Sequence, residues 1–131
     1  MNNIKNLKFI GNKSFFLIAG PCIIESREET LKIANTLKSI TDKLEIPFIF
    51  KGSFKKANRT RLDSFTGIGD EIALNILKDV KEELKIPIIT DVHSVDDIRK
   101  VKEIVDIIQI PAFLCRQTDL LTQAAETGKF I

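Results

Sequence analysis

The 131-residue chain lacks a surplus of either charge, because 20 lysines and arginines are balanced by 18 aspartates and glutamates, for a net charge of +2. A protein that binds nucleic acid through a basic face carries a far greater excess. The chain also lacks any apolar run near the roughly 18 residues of a membrane helix, and its first residues lack the apolar core and cleavage site of a signal peptide. We therefore expect a cytoplasmic protein that binds neither nucleic acid nor a membrane.

Cysteine and histidine are also scarce, with two cysteines and one histidine in the chain. The two cysteines, Cys22 and Cys115, cannot form a disulfide framework, and a reducing compartment would keep them as thiols. Cys115 follows two apolar residues, and we interpret it as core packing. His93 is the only histidine; it could act as an acid or base, and a loop residue with an ordinary hydrogen bond explains it equally well.

Short apolar runs alternate with helical patterns along the chain. The runs at 15–18, 48–50, 88–90 and 105–110 have the length of strands. Helical patterns follow them, beginning near Ser26, Asp70, Ser94 and Thr118, and Gly128 ends the last one. Because strands that are apolar on both faces are typical of a parallel sheet covered by helices, the sequence predicts an α/β fold in the order βαβαβαβα. Residues 130–131 have the pattern of a fifth strand beginning.

The length raises a question about this fold. A closed eight-stranded barrel typically needs about 250 residues, and this chain has 131. The alternatives are a small open sheet or a fragment of a barrel, and we favour the fragment because nothing after Gly128 terminates the fold. Residues 1–131 are then the N-terminal part of a single TIM-barrel domain, with four βα units and the start of strand five.

The most informative segment is the loop at 51–59, which directly follows the second predicted strand. It brings four basic residues, a serine and an asparagine to the carboxyl end of a strand, where parallel α/β proteins bind ligands. The residues for which function outweighs a solvated loop are Lys51, Lys56, Asn58 and Arg59. Lys55 taken alone is better explained as a solvated lysine. The loop predicts a site for a small anionic substrate that carries phosphate or carboxylate.

The other predicted strands also end in polar side chains. Cys22 follows strand one, and a thiolate there could ligate a divalent metal, although a small buried hydrophobe is the more common fate of a free cysteine. Asp91 ends strand three, where it could bind a substrate hydroxyl or cap a turn. Arg116, after strand four, could clamp a phosphate or pair with Asp119, and the composition does not separate these two interpretations.

Four segments together resemble the 3-deoxy-D-manno-octulosonate 8-phosphate synthase family. They are residues 19–26 (AGPCIIES), 50–59 (FKGSFKKANR), 90–93 (TDVH) and 109–121 (QIPAFLCRQTDLL). The resemblance extends from Phe15 to the last residue, and the second and fourth segments are highly specific. The related 3-deoxy-arabino-heptulosonate 7-phosphate synthases share the Gly-Pro-Cys start but carry a Lys-Pro-Arg-Thr type of loop at the second segment.

The resemblance implies a (β/α)8 barrel, usually tetrameric, that condenses phosphoenolpyruvate with D-arabinose 5-phosphate for lipopolysaccharide synthesis. It implies phosphoenolpyruvate contacts at Lys51, Ser53, Lys56, Gln109, Ala112 and Arg116. It implies arabinose 5-phosphate contacts, some reaching a neighbouring subunit, at Asn58, Arg59, Thr60 and Asp91. Phe113 is a further expected substrate contact. The residues to which we assign catalytic roles are Lys51, Asn58 and Asp91.

The resemblance also changes the interpretation of Cys22. This residue matches the cysteine ligand of the metal-dependent subgroup, which implies a divalent metal such as zinc, iron or manganese. The family's other ligands, a histidine, a glutamate and an aspartate, lie in its second half, so we expect the 131 residues alone to be inactive. Thr60-Arg61 stands where family members usually have two serines, and Thr66 where they have an arginine. The alternatives are a related synthase that uses another sugar phosphate and a non-catalytic half-barrel.

Overall fold

The computed structural model describes residues 4–11, 15–56 and 67–131. The strands are β1 (Leu17–Ala19), β2 (Phe48–Lys51), β3 (Ile88–Asp91) and β4 (Ile107–Gln109). The helices are α1 (Arg27–Leu44), α2 (Asp70–Leu84), α3 (Val95–Val101) and α4 (Thr118–Glu126), with a 3-10 turn at Ala112–Leu114 before α4. The predicted order of strands and helices is confirmed.

The strands form one parallel sheet in the order β1-β2-β3-β4. After α4 the chain returns beside β4, where Phe130 makes an isolated parallel bridge to Ile107, as the predicted start of a fifth strand requires. Within the described residues the sheet is not closed. This arrangement is consistent with the first half of a (β/α)8 barrel.

Two strands, β1 and β4, begin two residues later than the sequence predicts. β1 begins at Leu17, which pairs with Phe48, while Phe15 and Phe16 precede the ladder and are exposed. At β4, Val105 is not in the strand, because its amide donates to Val101 in the turn that follows α3. An apolar run marks burial, and backbone pairing decides where the strand begins.

Capping residues explain where several helices begin and end. The Ser26 hydroxyl accepts from the Glu29 amide at 3.2 Å, and the Ser94 hydroxyl accepts from the Asp97 amide at 3.1 Å. Gly128 follows α4 with a φ of +68°, the left-handed conformation that glycine adopts without strain. α1 and α2 end instead at non-glycine residues in that conformation, of which Lys85 has a φ of +53°.

The two faces of the sheet pack against different parts of the chain. The helices cover one face, where the aromatic rings of Phe48 and Phe50 join the main core with side chains of α2, α3 and α4. On the other face, Ile49, Ile89 and Ile107 form a second cluster with Ile4 from the N-terminal segment. Because alternate residues of a strand point to opposite faces, polar residues two positions after these isoleucines lie on the same face, at the carboxyl ends of the strands.

No helix in the described part of the chain combines the length and the apolarity that crossing a bilayer requires.

Candidate functional site

Neighbouring strands bring three polar residues to one edge of the sheet. Lys51 ends β2, Asp91 ends β3 and Gln109 ends β4. Asp91 and Gln109 are partners in the β-ladder, and Lys51 pairs with Ile89, two residues before Asp91. The sheet register therefore gathers residues that lie far apart in the chain, as the sequence predicted.

These strand ends line an open cavity of about 540 Å³. Eight of the residues predicted for the site are among its lining: Cys22, Lys51, Ser53, Lys56, Asp91, Gln109, Ala112 and Phe113. The lining also includes Lys55, His93 and Pro111, to which the sequence analysis assigned no substrate contact. The cavity places several cations around a single carboxylate, which suits a small anionic ligand.

Asp91 is the centre of the polar network in this cavity. Its carboxylate accepts a hydrogen bond from the Ser53 hydroxyl, and the Lys51 ammonium lies 3.7 Å from the same oxygen, Oδ1. Lys51 Nζ also donates to Ser53 Oγ at 3.3 Å. The other carboxylate oxygen lies 3.2 Å from His93 Nε2. Both oxygens of Asp91 are thus engaged before any ligand binds.

These contacts determine the charge of Asp91. Burial alone would raise the pKa of this carboxyl group, since only 14% of the side chain is exposed. Hydrogen bonds from His93 and Ser53, together with the positive charge of Lys51, outweigh burial and lower the pKa from 3.8 to about 2. Asp91 is therefore ionised at neutral pH, so it can accept hydrogen bonds from substrate hydroxyls but cannot donate one.

His93 has a more specific environment than the sequence predicted. Its ring stacks on Phe113, with centroids 6.2 Å apart, and its backbone amide donates to Asp97 at 3.0 Å. Nδ1 is buried and has no hydrogen-bond partner in the described part of the chain. The sequence signal that places His93 beside Asp91 is its position two residues after the end of β3.

Glycine at position 20 allows β1 to approach the Lys51 backbone. A Cβ built on Gly20 would lie 1.8 Å from the Lys51 carbonyl oxygen, a distance that no side chain tolerates. On the next strand, the buried Thr90 hydroxyl donates to the Gly52 carbonyl at 2.7 Å. These backbone contacts fix Lys51 and the start of its loop at the cavity wall.

Three residues outside this network, Lys55, Cys115 and Arg116, were also interpreted from the sequence. Lys55 is not simply solvated, because it forms an ion pair with the buried Asp97 at 3.5 Å. Cys115 is exposed, so its assignment to core packing is wrong. Arg116 is exposed, is not part of the cavity lining, and makes no ion pair with Asp119 or any other residue of the described ranges. Its role as a phosphate clamp stays a prediction.

Three predicted substrate contacts, Asn58, Arg59 and Thr60, lie outside the described residues. The departures noted at Arg61 and Thr66 lie outside them as well. The half of the loop predicted to bind the sugar phosphate therefore stays a prediction from sequence.

Cys22 meets part of what a metal site requires. Its thiol is free and exposed at the cavity wall, which excludes the buried-hydrophobe interpretation. Within residues 4–11, 15–56 and 67–131 there is no group of three or more histidine, cysteine, aspartate or glutamate side chains that could hold an ion. Since zinc and related ions take about four ligands, the described residues fit a metal as one donor and not as a complete site.

Comparison of the sequence with known proteins shows the family to which the chain belongs. Residues 3–131 match the DAHP synthetase I family. The chain belongs to this family. As a member of the DAHP synthetase I family it shares 55% identity over its whole length with a Rickettsia felis protein named 2-dehydro-3-deoxyphosphooctonate aldolase, of which it covers 47%.

Two further relatives of this DAHP synthetase I family member carry the same name. The Cupriavidus taiwanensis protein is 53% identical over 90% of this chain and 41% of its own length. The Geobacter metallireducens protein is 51% identical over 95% of this chain and 46% of its own length. The chain spans less than half the length of the curated relatives it matches.

Proposed function

We propose that this chain forms the first half of the barrel of a 3-deoxy-D-manno-octulosonate 8-phosphate synthase, which joins phosphoenolpyruvate to D-arabinose 5-phosphate. The observation that carries the proposal is the sequence identity of 51–55% to proteins named 2-dehydro-3-deoxyphosphooctonate aldolase, the same enzyme under another name. The cavity at the carboxyl ends of the strands supports it, because its lining includes five of the six residues expected to contact phosphoenolpyruvate and, in Asp91, one expected to contact arabinose 5-phosphate.

The charges of the cavity suit these two substrates. Phosphoenolpyruvate carries a phosphate and a carboxylate, and arabinose 5-phosphate carries a second phosphate. Holding such anions side by side requires nearby cations, since repulsion between unit charges a few ångströms apart amounts to several kcal/mol near a protein surface. Lys51 and Lys56 line the cavity, and we assign them to phosphoenolpyruvate. Fixed cations that orient the enol carbon against the aldehyde then supply proximity.

Asp91 and Ser53 position the uncharged parts of the substrates in this proposal. The ionised Asp91 accepts a hydrogen bond from a hydroxyl of arabinose 5-phosphate in place of its present bond from Ser53 or His93. The Ser53 hydroxyl and Lys51 are then free to bind the phosphoenolpyruvate carboxylate. Both groups are already held within hydrogen-bonding distance of one another, so little reorganisation is needed when the ligands enter.

We also propose that Cys22 is one ligand of a divalent metal, with the remaining donors supplied by residues outside the described ranges. When bound, such an ion would polarise the aldehyde of the sugar phosphate or orient a water. Cys22→Asn should abolish stoichiometric metal binding in metal analysis of the purified protein. Cys115→Ser is the matched control, since it removes the other exposed thiol. Unchanged metal content in Cys22→Asn contradicts the assignment.

The remaining proposals concern the setting of the enzyme. Homotetramer formation, a cytoplasmic location and a role in lipopolysaccharide synthesis are proposed from the family resemblance. Light scattering tests the first of these, and cell fractionation tests the second. Asn58, Arg59 and Thr60 are proposed to bind the sugar phosphate, and Arg116 and the Ala112 backbone the phosphate of phosphoenolpyruvate.

The decisive assay measures phosphate release from phosphoenolpyruvate. The protein to assay has the full length of the relatives and contains this 131-residue sequence; we refer to it as the full-length protein. Release with arabinose 5-phosphate and not with erythrose 4-phosphate is the expected result. Lys51→Met should reduce kcat/KM by about 100-fold or more, because it removes a cation from the reacting centre.

A second candidate function is a 3-deoxy-arabino-heptulosonate 7-phosphate synthase, which the description of the matched family favours. This enzyme joins phosphoenolpyruvate to the four-carbon sugar phosphate. Preferential turnover of erythrose 4-phosphate by the full-length protein would establish it and would overturn the first proposal.

A further inference from the structure

Asp97 is a buried carboxylate that the proposed chemistry does not use. Its side chain is 1% exposed, yet it lies on α3, outside the cavity lining. Oδ2 accepts from the His93 backbone amide at 3.0 Å, and Oδ1 lies 3.5 Å from the Lys55 ammonium. Both partners belong to segments that line the cavity, so one carboxylate connects the loop after β2 to the loop after β3.

A helix-capping role accounts for only one oxygen of this carboxylate. The Ser94 hydroxyl already caps the start of α3 by accepting from the Asp97 amide. Oδ2 of Asp97 reaches back to the His93 amide, as in a capping box, but the polar partner of Oδ1 is the Lys55 ammonium, on the loop after β2. A buried charge is costly unless it is paired, and here the pairing cation is a lysine that also faces the cavity.

Lys55 is held in place by this pair. Its side chain is 39% exposed, which leaves the ammonium accessible from the cavity while one side contacts Asp97. A free lysine loses about 1.5–2 kcal/mol of side-chain entropy when it is ordered by a ligand. A lysine that is already held loses less, and so it binds an anion more strongly.

We propose that Asp97 is a positioning residue that holds Lys55 at the cavity wall, where the Lys55 ammonium serves as an additional contact for an anionic substrate. The inference rests on the proposed function in so far as it assumes a phosphorylated or carboxylated ligand in this cavity. It goes further by assigning a binding role to Lys55, and a supporting role to Asp97, through an ion pair between two loops.

The test is a double-mutant cycle in the full-length protein. Lys55→Gln removes the cation, and Asp97→Asn keeps an oxygen for the His93 amide while removing the charge that holds Lys55. Each should raise KM for phosphoenolpyruvate or the sugar phosphate about three- to tenfold, with kcat within about twofold of the parent. In the double variant KM should be no higher than in Lys55→Gln alone, since Asp97 acts through Lys55.

Two controls separate positioning from a general effect of charge or stability. Lys55→Arg keeps the positive charge that Lys55→Gln removes, and its KM should lie near the parent value. Lys78→Gln removes a lysine on α2 that pairs with Glu82 outside the cavity, and it should leave KM unchanged. A parallel loss of kcat in every variant would point to misfolding and would count against the proposal.

Several results would overturn the inference. The inference is wrong if Lys55→Gln leaves KM unchanged. It is also wrong if Asp97→Asn leaves KM unchanged or lowers it, or if the effects on KM in the double variant are additive. Failure of the proposed function is a separate outcome, seen when the parent prefers another sugar phosphate. In that case the ratios of variant to parent KM are measured with the preferred sugar phosphate. If the parent shows no turnover, the Kd of phosphoenolpyruvate is measured by calorimetry, and the ratios of variant to parent Kd are expected to be the same.

Discussion

The carboxylate of Asp91 should make stability depend on pH in a predictable window. Its pKa is about 2 in the folded protein against an ordinary value of 3.8. At about 1.4 kcal/mol per pKa unit, this difference corresponds to about 2.5 kcal/mol of stability at neutral pH. The side chain is 14% exposed, so screening by solvent removes only part of that figure.

The direction of this pH dependence follows from whether the folded or the unfolded chain binds the proton first as the pH falls. As the pH falls, the unfolded chain takes up a proton at Asp91 near pH 4, while the folded chain resists protonation until about pH 2. The contribution is therefore fully present above about pH 4 and is lost as the pH falls towards 2. It should decline from about 2.4 kcal/mol at pH 5 to about 1.3 kcal/mol at pH 3.

The assay is urea unfolding of the full-length protein and of Asp91→Asn between pH 5 and pH 3, the range in which the contribution of Asp91 changes most steeply. The difference in unfolding free energy between the two proteins should shrink by about 1 kcal/mol over this range. Glu103→Gln is the matched control, because it removes an exposed carboxylate outside the cavity. A difference that stays constant with pH for Asp91→Asn would refute the reasoning.

Three further predictions concern unfolding free energies measured by the same urea titration. Gly20→Ala should destabilise the protein by about 3 kcal/mol or more, because the new Cβ would lie 1.8 Å from the Lys51 carbonyl oxygen; near-neutral stability would contradict this close approach. Lys85→Gly should stabilise by about 0.5–1 kcal/mol by relieving a φ of +53° at the end of α2, and any loss of stability would argue against strain there. Asp106→Ala should cost about 2–3 kcal/mol, because its carboxylate binds Lys81 at 2.8 Å and the first amide of β3 at 2.9 Å; a cost below about 0.5 kcal/mol would show that these bonds contribute little net stability.

Much of the fold could be predicted because it depends on local pattern. The apolar run at 48–50 and the capping serines Ser26 and Ser94 place β2, α1 and α3 to within a residue or two. The boundary of β1 could not be predicted this way. Phe15 and Phe16 are as apolar as a strand requires, but their exclusion from the sheet depends on which residues β2 offers as partners.

In the candidate site, too, local pattern predicted some features, while others depended on residues that are distant in the sequence. Strand ends and family-like motifs were enough to predict Lys51, Ser53, Asp91 and Gln109 as a group. The environment of Lys55 was predicted wrongly, because its partner Asp97 lies 42 residues away in the chain and no sequence pattern connects them. Cys115 was predicted wrongly because apolar neighbours in sequence do not guarantee a packed neighbour in space.

The amino-acid sequence by itself determined the order of strands and helices, the parallel sheet and the identity of most residues at its carboxyl edge, since these follow from periodicity, capping and short motifs. Only the tertiary structure decided how those residues act on one another. The register of β2 and β3 brings Lys51 and Ser53 to the Asp91 carboxylate, and these contacts lower its pKa. Electrostatic interactions depend on distances of a few ångströms, and only the packing of the strands and loops sets such distances.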